Sequence, residues 1–167
     1  MIALRITDVK GFMAKLLGGS SFDAFYFVEA SITTFNTFML DGSLHPDFFD
    51  EEKAKNIRES GQIYSLWGDV RNLCFSIIKG TRSPLSFKIV LQQSRKNTEK
   101  ILLQSGTCMD SKDIHGLYLN FQYNNGELMC TTGTSLRIFT MDKTLDNYWD
   151  SLILRFFDRQ EFSFEQL

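Results

Sequence analysis

The chain is poor in the residues that build disulfide frameworks, metal sites and linkers. Its 167 residues include three cysteines, two histidines, two prolines and eleven glycines. The cysteines are Cys74, Cys108 and Cys130. Their odd number and the lack of a C-x-x-C pair argue against a disulfide framework and favour a reducing cytoplasm. So few prolines and glycines also argue against a disordered or linker-rich chain.

Long apolar runs and a strong charge bias are missing as well. No run approaches the roughly 18 residues that a membrane span needs, and the first residues lack the apolar stretch of a signal peptide. The net charge is −2, so nucleic acid or an anionic membrane would bind only through a local basic face. We therefore expect a cytoplasmic protein with no membrane partner.

What the chain does have is core-forming material, since 43% of its residues are hydrophobic and sixteen are phenylalanine. Length and composition together predict one α+β domain over residues 1–167. We expect a largely antiparallel sheet with amphipathic helices on one face. Residue periodicity predicts helices over 9–17, 66–79, 97–104 and 145–157. Strands are predicted over 2–7, 85–91, 117–123, 128–132, 136–141 and 162–164, with further strand structure between 25 and 44.

Glycines mark the predicted turns. Asn125-Gly126 predicts a type I′ hairpin turn, because both central residues of that turn need a positive φ. Asp41-Gly42 predicts a second hairpin turn. Gly133 predicts a break between two strands.

The order of predicted elements is similar in the two halves of the chain, 1–83 and 84–167. Each half reads as a β-α-β-β-β unit, which we interpret as a weak duplication; a coincidental α+β meander is the alternative. Residues 46–65 fit neither strand nor helix periodicity well. They are predicted to form a mobile loop with one exposed helical turn.

No enzyme motif is present, so we expect no catalytic residue, no metal site and no cofactor. The two histidines, His45 and His115, lie at predicted loop edges and outside any nucleophile motif. Asp142, Asp146 and Asp150 recur every four residues at the front of the last predicted helix. Carboxylates favour a helix N-terminus without any metal.

A hydroxyl-rich run supports a small-molecule hypothesis. Its hydroxyl groups belong to Thr131, Thr132, Thr134 and Ser135. Together with His115 they would form the binding site of a small-molecule-binding protein or hydrolase, in a pocket that contains all five. The alternative interpretation of the run is a bulge or kink in a strand.

Basic side chains lie outside the apolar stripes of the predicted helices. Such residues can contact nucleic-acid phosphates without reading bases. The expected contacts are Lys10, Lys15, Arg71, Lys79 and Arg82. Acidic residues are interspersed among them, so an ordinary solvated face is the alternative.

Three segments resemble a family of small uncharacterised bacterial proteins. They are residues 30–45 (ASITTFNTFMLDGSLH), 73–90 (LCFSIIKGTRSPLSFKIV) and 130–135 (CTTGTS). The resemblance extends over nearly the whole chain and implies a domain of unknown function. It implies no catalytic residues.

A second resemblance concerns architecture. The order of strand, helix, antiparallel strands and helix is similar to one domain of a DNA sliding clamp, and residues 116–128 (GLYLNFQYNNGEL) resemble the hairpins of such clamps. That family implies basic helices facing duplex DNA. A clamp ring has six such domains, and this chain supplies at most one.

The leading interpretation is therefore a non-enzymatic binding or scaffold protein of clamp-like architecture. Its expected partner is nucleic acid or another protein. A homo-oligomer that pairs through exposed phenylalanines is a further alternative.

Overall fold

The computed structural model describes residues 1–167 and has the α+β fold expected from the sequence. The helices are α1 (Val9–Gly18), α2 (Glu51–Ser60), α3 (Trp67–Ile78), α4 (Arg95–Ser105) and α5 (Thr144–Arg159). The strands are β1 (Ala3–Ile6), β2 (Tyr26–Thr33), β3 (Thr37–Asp41), β4 (Ser65–Leu66), β5 (Ser86–Gln92), β6 (Ile114–Asn124), β7 (Glu127–Leu136) and β8 (Phe164–Gln166). Short 3₁₀ turns occupy Pro46–Phe48 and Ser111–Asp113.

All eight strands belong to one antiparallel sheet, in the order β3-β2-β5-β6-β7-β1-β8, with β4 paired to β2. Alternation along the strands turns one face toward the core. A row of paired residues that crosses five strands shows this: Ala30, Ile89, Phe121, Cys130 and Leu4, all buried. The opposite face is polar over much of its area, as in the Glu29–Lys88 ion pair of 2.9 Å.

Four helices supply the other half of the core. Phe12 and Leu16 of α1 and Phe157 of α5 are buried in a cluster of 28 residues, to which α3 and α4 also contribute. Trp67 of α3 is fully buried, and its Nε1–H donates to the Leu16 carbonyl at 2.9 Å. The expected helix layer on one face is thus confirmed for α1, α3, α4 and α5. None of the five helices combines the length and apolarity needed to cross a membrane.

The predicted type I′ hairpin is confirmed. Asn125 and Gly126 connect β6 to β7 with φ values of 50° and 83°. The strands on either side remain in register from Asn124 opposite Glu127 to Gly116 opposite Ser135, and a bulge at His115 shifts the pairing beyond that point. This two-residue turn therefore fixes which residues of β6 and β7 face each other.

The second predicted hairpin turn was misplaced. β2 and β3 are joined through residues 34–36, whereas Gly42 lies after the end of β3. A Cβ at Gly42 would lie 2.7 Å from the Phe27 carbonyl carbon. The glycine is needed for this close approach of two backbones, which a dipeptide turn signal does not distinguish from a hairpin.

Two further predictions were wrong. Gly133 does not break a strand, because it lies within β7 opposite Tyr118, and residues 137–141 form no strand. Residues 46–65 contain a 3₁₀ turn and the ten-residue helix α2. The Asp50 side chain caps that helix through the Lys53 N–H at 2.8 Å.

The two halves share only part of their element order. In the first half β1-α1-β2-β3 is followed by a 3₁₀ turn, α2, β4 and then α3, and in the second half β5-α4-β6-β7 is followed by α5 and β8. The helices predicted over 66–79 and 145–157 are present as α3 and α5, whereas α2 and β4 have no counterpart in the second half. In the sheet, β5 lies between β2 and β6, whereas β1 lies between β7 and β8. The duplication itself stays a prediction.

Candidate functional site

A polar recess of about 410 Å³ lies where β5 ends and β6 begins. Because antiparallel neighbours run in opposite directions, the end of β5, the start of β6 and the end of β7 meet at one edge of the sheet. We call it the Gln92 recess. It is lined by Tyr26, Gly61, Ile63, Gln92, Gln93, Arg95, Thr98, Glu99, Ser111, Lys112, Ile114, His115, Gly116 and Arg137.

Three cations surround the recess against one carboxylate. Arg95 pairs with Glu99 at 3.4 Å, whereas Lys112 and Arg137 have no acidic partner within 4.0 Å. The recess also adjoins the first turn of α4, whose partial positive charge adds to the same potential. A chain with a net charge of −2 thus concentrates positive charge at this edge of its sheet.

Local structure fixes the backbone positions of two of the cationic residues, Lys112 and Arg137. Lys112 lies in the 3₁₀ turn that follows Asp110, and hydrogen bonds from the Lys112 N–H and the Ser111 hydroxyl keep the pKa of the Asp110 carboxyl below its usual value. Arg137 follows β7, and its N–H donates to the Asp113 carbonyl at 2.7 Å. The turn and the strand end are therefore joined directly.

Gln92 is the buried polar group of the recess, with 7% of its surface exposed. Its Nε2 donates to the His115 carbonyl at 3.0 Å, which fixes the orientation of the amide because an oxygen could not donate there. Its Oε1 is buried and receives no hydrogen bond from the chain. A buried acceptor without a donor costs about 1–3 kcal/mol, which a donor from a ligand would offset.

Gly116 leaves the space that this amide occupies. A Cβ at that position would lie 2.8 Å from Gln92 Cδ and closer still to Nε2. The recess therefore requires glycine at position 116, because the Gln92 side chain approaches the Gly116 backbone too closely for a Cβ; no positive φ is involved.

The recess also has an apolar side. Tyr26 is half-buried and is paired with Gln92 across β2 and β5. Ile63 and Ile114 lie in the same lining. The volume falls within the range of small-molecule sites. With only Tyr26, Ile63 and Ile114 as apolar residues, the lining is more polar than is usual for such sites, which favours a charged ligand.

The family model described as Family of unknown function (DUF5721) matches residues 15–165. The chain belongs to this family. Every lining residue of the Gln92 recess, from Tyr26 to Arg137, falls within the matched region of this DUF5721 protein. The expected family of unknown function is therefore confirmed. Among curated proteins and solved structures, no match to the chain was found.

The hydroxyl-rich run extends along β7 and reaches His115 only at its end, where Ser135 is paired with Gly116 beside the bulge that contains His115. His115 is exposed and lines the recess, but Thr131, Thr132, Thr134 and Ser135 do not line it. Thr132 is buried; its hydroxyl donates to Asp150 and accepts from the Ile2 N–H at 2.9 Å.

Thr134 makes a similar contact one turn earlier on α5, since its hydroxyl donates to Asp146. Burial acts to raise the pKa of the Asp146 carboxyl, but hydrogen bonds from Thr134 and Lys143 lower it below the usual value. The two threonines thus fasten α5 to β7. Of the three acids that recur every four residues, Asp146 and Asp150 therefore face the sheet.

Thr132→Val is expected to lower the free energy of unfolding by about 1–3 kcal/mol, because Asp150 loses a buried donor and the Ile2 N–H loses its acceptor. Thr131→Val is the matched control, since Thr131 is half-buried and its hydroxyl makes no hydrogen bond within the chain. Urea denaturation followed by circular dichroism measures both. Equal stability of the two variants would contradict the structural role of Thr132.

Two of the five predicted phosphate contacts are engaged within the protein. Arg71 forms an ion pair with Asp23 at 2.8 Å. The Lys15 ammonium donates to the Gln160 carbonyl. Lys10, Lys79 and Arg82 are exposed. Lys79 and Arg82 line a second recess, with Phe35 at its rim.

Two cysteines are confirmed as core residues. Cys74 and Cys130 are fully buried. Burial raises the pKa of the Cys74 thiol to about 11, so this thiol stays protonated at neutral pH. Burial also raises the pKa of Cys130. Cys108 is exposed.

Sequence reasoning did not assign Gln92, Lys112 or Arg137 to a site. These residues lie on three separate segments and form no motif. One signal was available for Arg137: extending the Asn125-Gly126 hairpin register places the end of β7 beside the start of β6.

Proposed function

We propose that this DUF5721 protein is a non-enzymatic binding protein that holds a small anionic ligand in the Gln92 recess. The observation that carries the proposal is the convergence of Arg95, Lys112 and Arg137 on a recess with a buried amide in its wall. Guanidinium and ammonium groups form charge-assisted hydrogen bonds with phosphates and carboxylates, which are the stronger class of hydrogen bond.

The hydroxyl groups of the recess support binding rather than nucleophilic chemistry. A nucleophilic hydroxyl needs a base within hydrogen-bond distance. The Thr98 hydroxyl donates to the Ser94 carbonyl at 3.0 Å, and the Ser111 hydroxyl donates to the Asp110 carboxylate at 3.2 Å. Hydrogen bonds from the Lys112 N–H and Ser111 hold the pKa of that carboxyl below its usual value, which makes it a weak base. Neither hydroxyl bonds to the His115 imidazole, the one histidine in the lining.

Replacing Lys112 and Arg137 together by alanine is expected to weaken binding of ribose 5-phosphate about tenfold or more, because each charged hydrogen bond to a ligand contributes about 1.5–3 kcal/mol when desolvated. Isothermal titration calorimetry at low salt measures the dissociation constants. Lys10→Ala is the matched control, since Lys10 is exposed and lies outside the recess. The proposal fails if the double variant binds as the parent does, or if the parent binds no such anion.

A clamp-like scaffold that contacts nucleic acid is the second candidate. It is supported by the helix layer on one face of the sheet and by the exposed side chains of Lys10, Lys79 and Arg82. In the same titrations a labelled duplex serves as an additional probe. This candidate predicts that the protein binds the DNA duplex and that the binding weakens with salt. Replacing Lys10, Lys79 and Arg82 by alanine should then abolish duplex binding, whereas the Lys112 and Arg137 double variant should keep it.

The bacterial origin, the cytoplasmic location and the protein partner are also part of the proposal. A bacterial origin rests on the resemblance of residues 30–45 and 73–90, and a cytoplasmic location rests on the cysteine content. A protein partner or a homo-oligomer is supported by exposed aromatic side chains, among them Phe35 and Phe139 with 87% and 91% of their surfaces exposed.

A further inference from the structure

We infer that the ligand of the Gln92 recess is a nucleoside phosphate, bound through its phosphate, its base edge and its base face. This inference rests on the proposed function, because it assumes that the recess binds an anion. It goes further by naming the second and third chemical groups that the ligand must carry. Each group is required by a different side of the recess.

The amide of Gln92 requires a hydrogen-bond donor. Its Nε2 is already bonded to the His115 carbonyl, so the oxygen is the unpaired end of the amide. Because Oε1 has almost no exposed surface, a ligand donor reaches it only when the Gln92 side chain turns toward the recess. A ligand that carried only acceptor oxygens, such as inorganic phosphate, would leave Oε1 unpaired. An amino or imino N–H on a nucleobase supplies the donor that this buried acceptor lacks.

The apolar side of the recess requires a flat, weakly polar group. Tyr26 lies beside Gln92 on the neighbouring strand, and Ile63 and Ile114 lie in the same lining. An aromatic ring that packs on a tyrosine or on aliphatic side chains loses water from its faces while its edge keeps its hydrogen bonds. A base presents such faces and such an edge in one rigid group, whereas a sugar phosphate presents hydroxyls in every direction.

The cationic side of the recess requires the phosphate. Lys112 and Arg137 form no ion pair within 4.0 Å, although the Lys112 charge acts on Asp110, and Arg95 is paired with Glu99. A phosphate offers several oxygens to these donors at once. The volume of about 410 Å³ is far larger than a phosphate alone needs and falls within the range of small-molecule sites.

Calorimetric titration with AMP, GMP, CMP, UMP and ribose 5-phosphate tests the inference. At least one nucleotide is expected to bind about tenfold or more tightly than ribose 5-phosphate, because a site with a buried acceptor rejects a ligand without the matching donor. If AMP is that nucleotide, purine riboside 5′-monophosphate, which lacks the exocyclic amine, should lose most of the advantage. For another base, the corresponding analogue without the donor takes its place.

The Gln92→Met variant checks the same point from the protein side. It should abolish the preference for the nucleotide and keep the affinity for ribose 5-phosphate within about threefold, because Met keeps the size of the side chain and removes the acceptor. Gln122→Met on the exposed face of β6 is the control, and a thermal melt confirms that both variants are folded. The analogue comparison uses the parent protein and so does not depend on the folding of any variant.

The possible failures are distinguishable. If every nucleotide binds no more tightly than ribose 5-phosphate, the inference is overturned and the anion site stands. If none of the five probes binds, the inference and the proposed function both fail. If a nucleotide binds preferentially but Gln92→Met and the analogue leave that preference unchanged, the assigned role of Gln92 is wrong.

Discussion

Trp67→Ala is expected to lower the free energy of unfolding by about 3–5 kcal/mol, the usual cost of removing a large buried aromatic side chain. Trp67 has no exposed surface, and its ring centroid lies 5.7 Å from that of Phe27 on β2. Its Nε1–H also bonds to the Leu16 carbonyl at the end of α1. One side chain therefore connects α1, α3 and the sheet, and its removal leaves a cavity at their junction.

Two controls separate the cavity from the hydrogen bond. Trp67→Phe keeps much of the volume and loses the N–H, so it should cost clearly less than alanine. Leu73→Ala on the same helix should change stability by under about 1 kcal/mol, because Leu73 is 53% exposed. Urea denaturation followed by circular dichroism measures all three. Equal stability of Trp67→Ala and Leu73→Ala would contradict the placement of α3 against the core.

Gly116→Ala is expected to disrupt the Gln92 recess and to abolish most of its preference for a nucleotide over ribose 5-phosphate. The added methyl group meets the Gln92 amide at 2.8 Å from Cδ, so the amide must leave the His115 carbonyl. Overpacking of this kind typically costs about 1–3 kcal/mol of stability. Calorimetry with ribose 5-phosphate and AMP measures the affinity, and urea denaturation measures the stability.

Gly133→Ala is the matched control for this experiment. Gly133 also lies inside a strand, but its added Cβ would meet only Asn120 and Tyr118, both at 3.8 Å. This substitution should leave affinity unchanged. It should also raise stability slightly, because alanine restricts the unfolded chain. If Gly116→Ala behaves in the same way, Gln92 does not depend on the space at Gly116.

The elements that sequence patterns predicted well are those with strong local signals. The β6–β7 hairpin follows from Asn125-Gly126, and α5 follows from an apolar stripe that includes Trp149, Ile153 and Phe157. Both were predicted because turn chemistry and periodicity agree along several successive turns or pairs. Neither requires any knowledge of distant contacts.

The missed helix α2 shows where such signals fail. It buries only Ala54 and Ile57, so its apolar stripe is too narrow for periodicity to reveal. The capping signals were present, since Asp50 begins the helix and Gly61 ends it in the left-handed region with φ 66°. Because no clear apolar stripe lies between these capping residues, the segment 46–65 was predicted to be a loop.

The candidate site could not be predicted because its residues meet only through the sheet. Gln92 ends β5, His115 is the second residue of β6 and Arg137 follows β7. The β6–β7 register was available from the hairpin, but the position of β5 beside β6 depends on long-range pairing. The hydroxyl-rich run misled for the opposite reason. It forms a conspicuous local pattern, yet Thr132 and Thr134 are used to hold α5.

Backbone amide shifts during a titration of the ¹⁵N-labelled protein with ribose 5-phosphate test the binding site most directly, and a chain of 19.3 kDa suits this measurement. The account predicts saturable shifts concentrated at residues 92–97, 112–116 and 137, around the Gln92 recess. Shifts concentrated instead at Lys10, Lys79 and Arg82, or no saturable shifts at all, would contradict it.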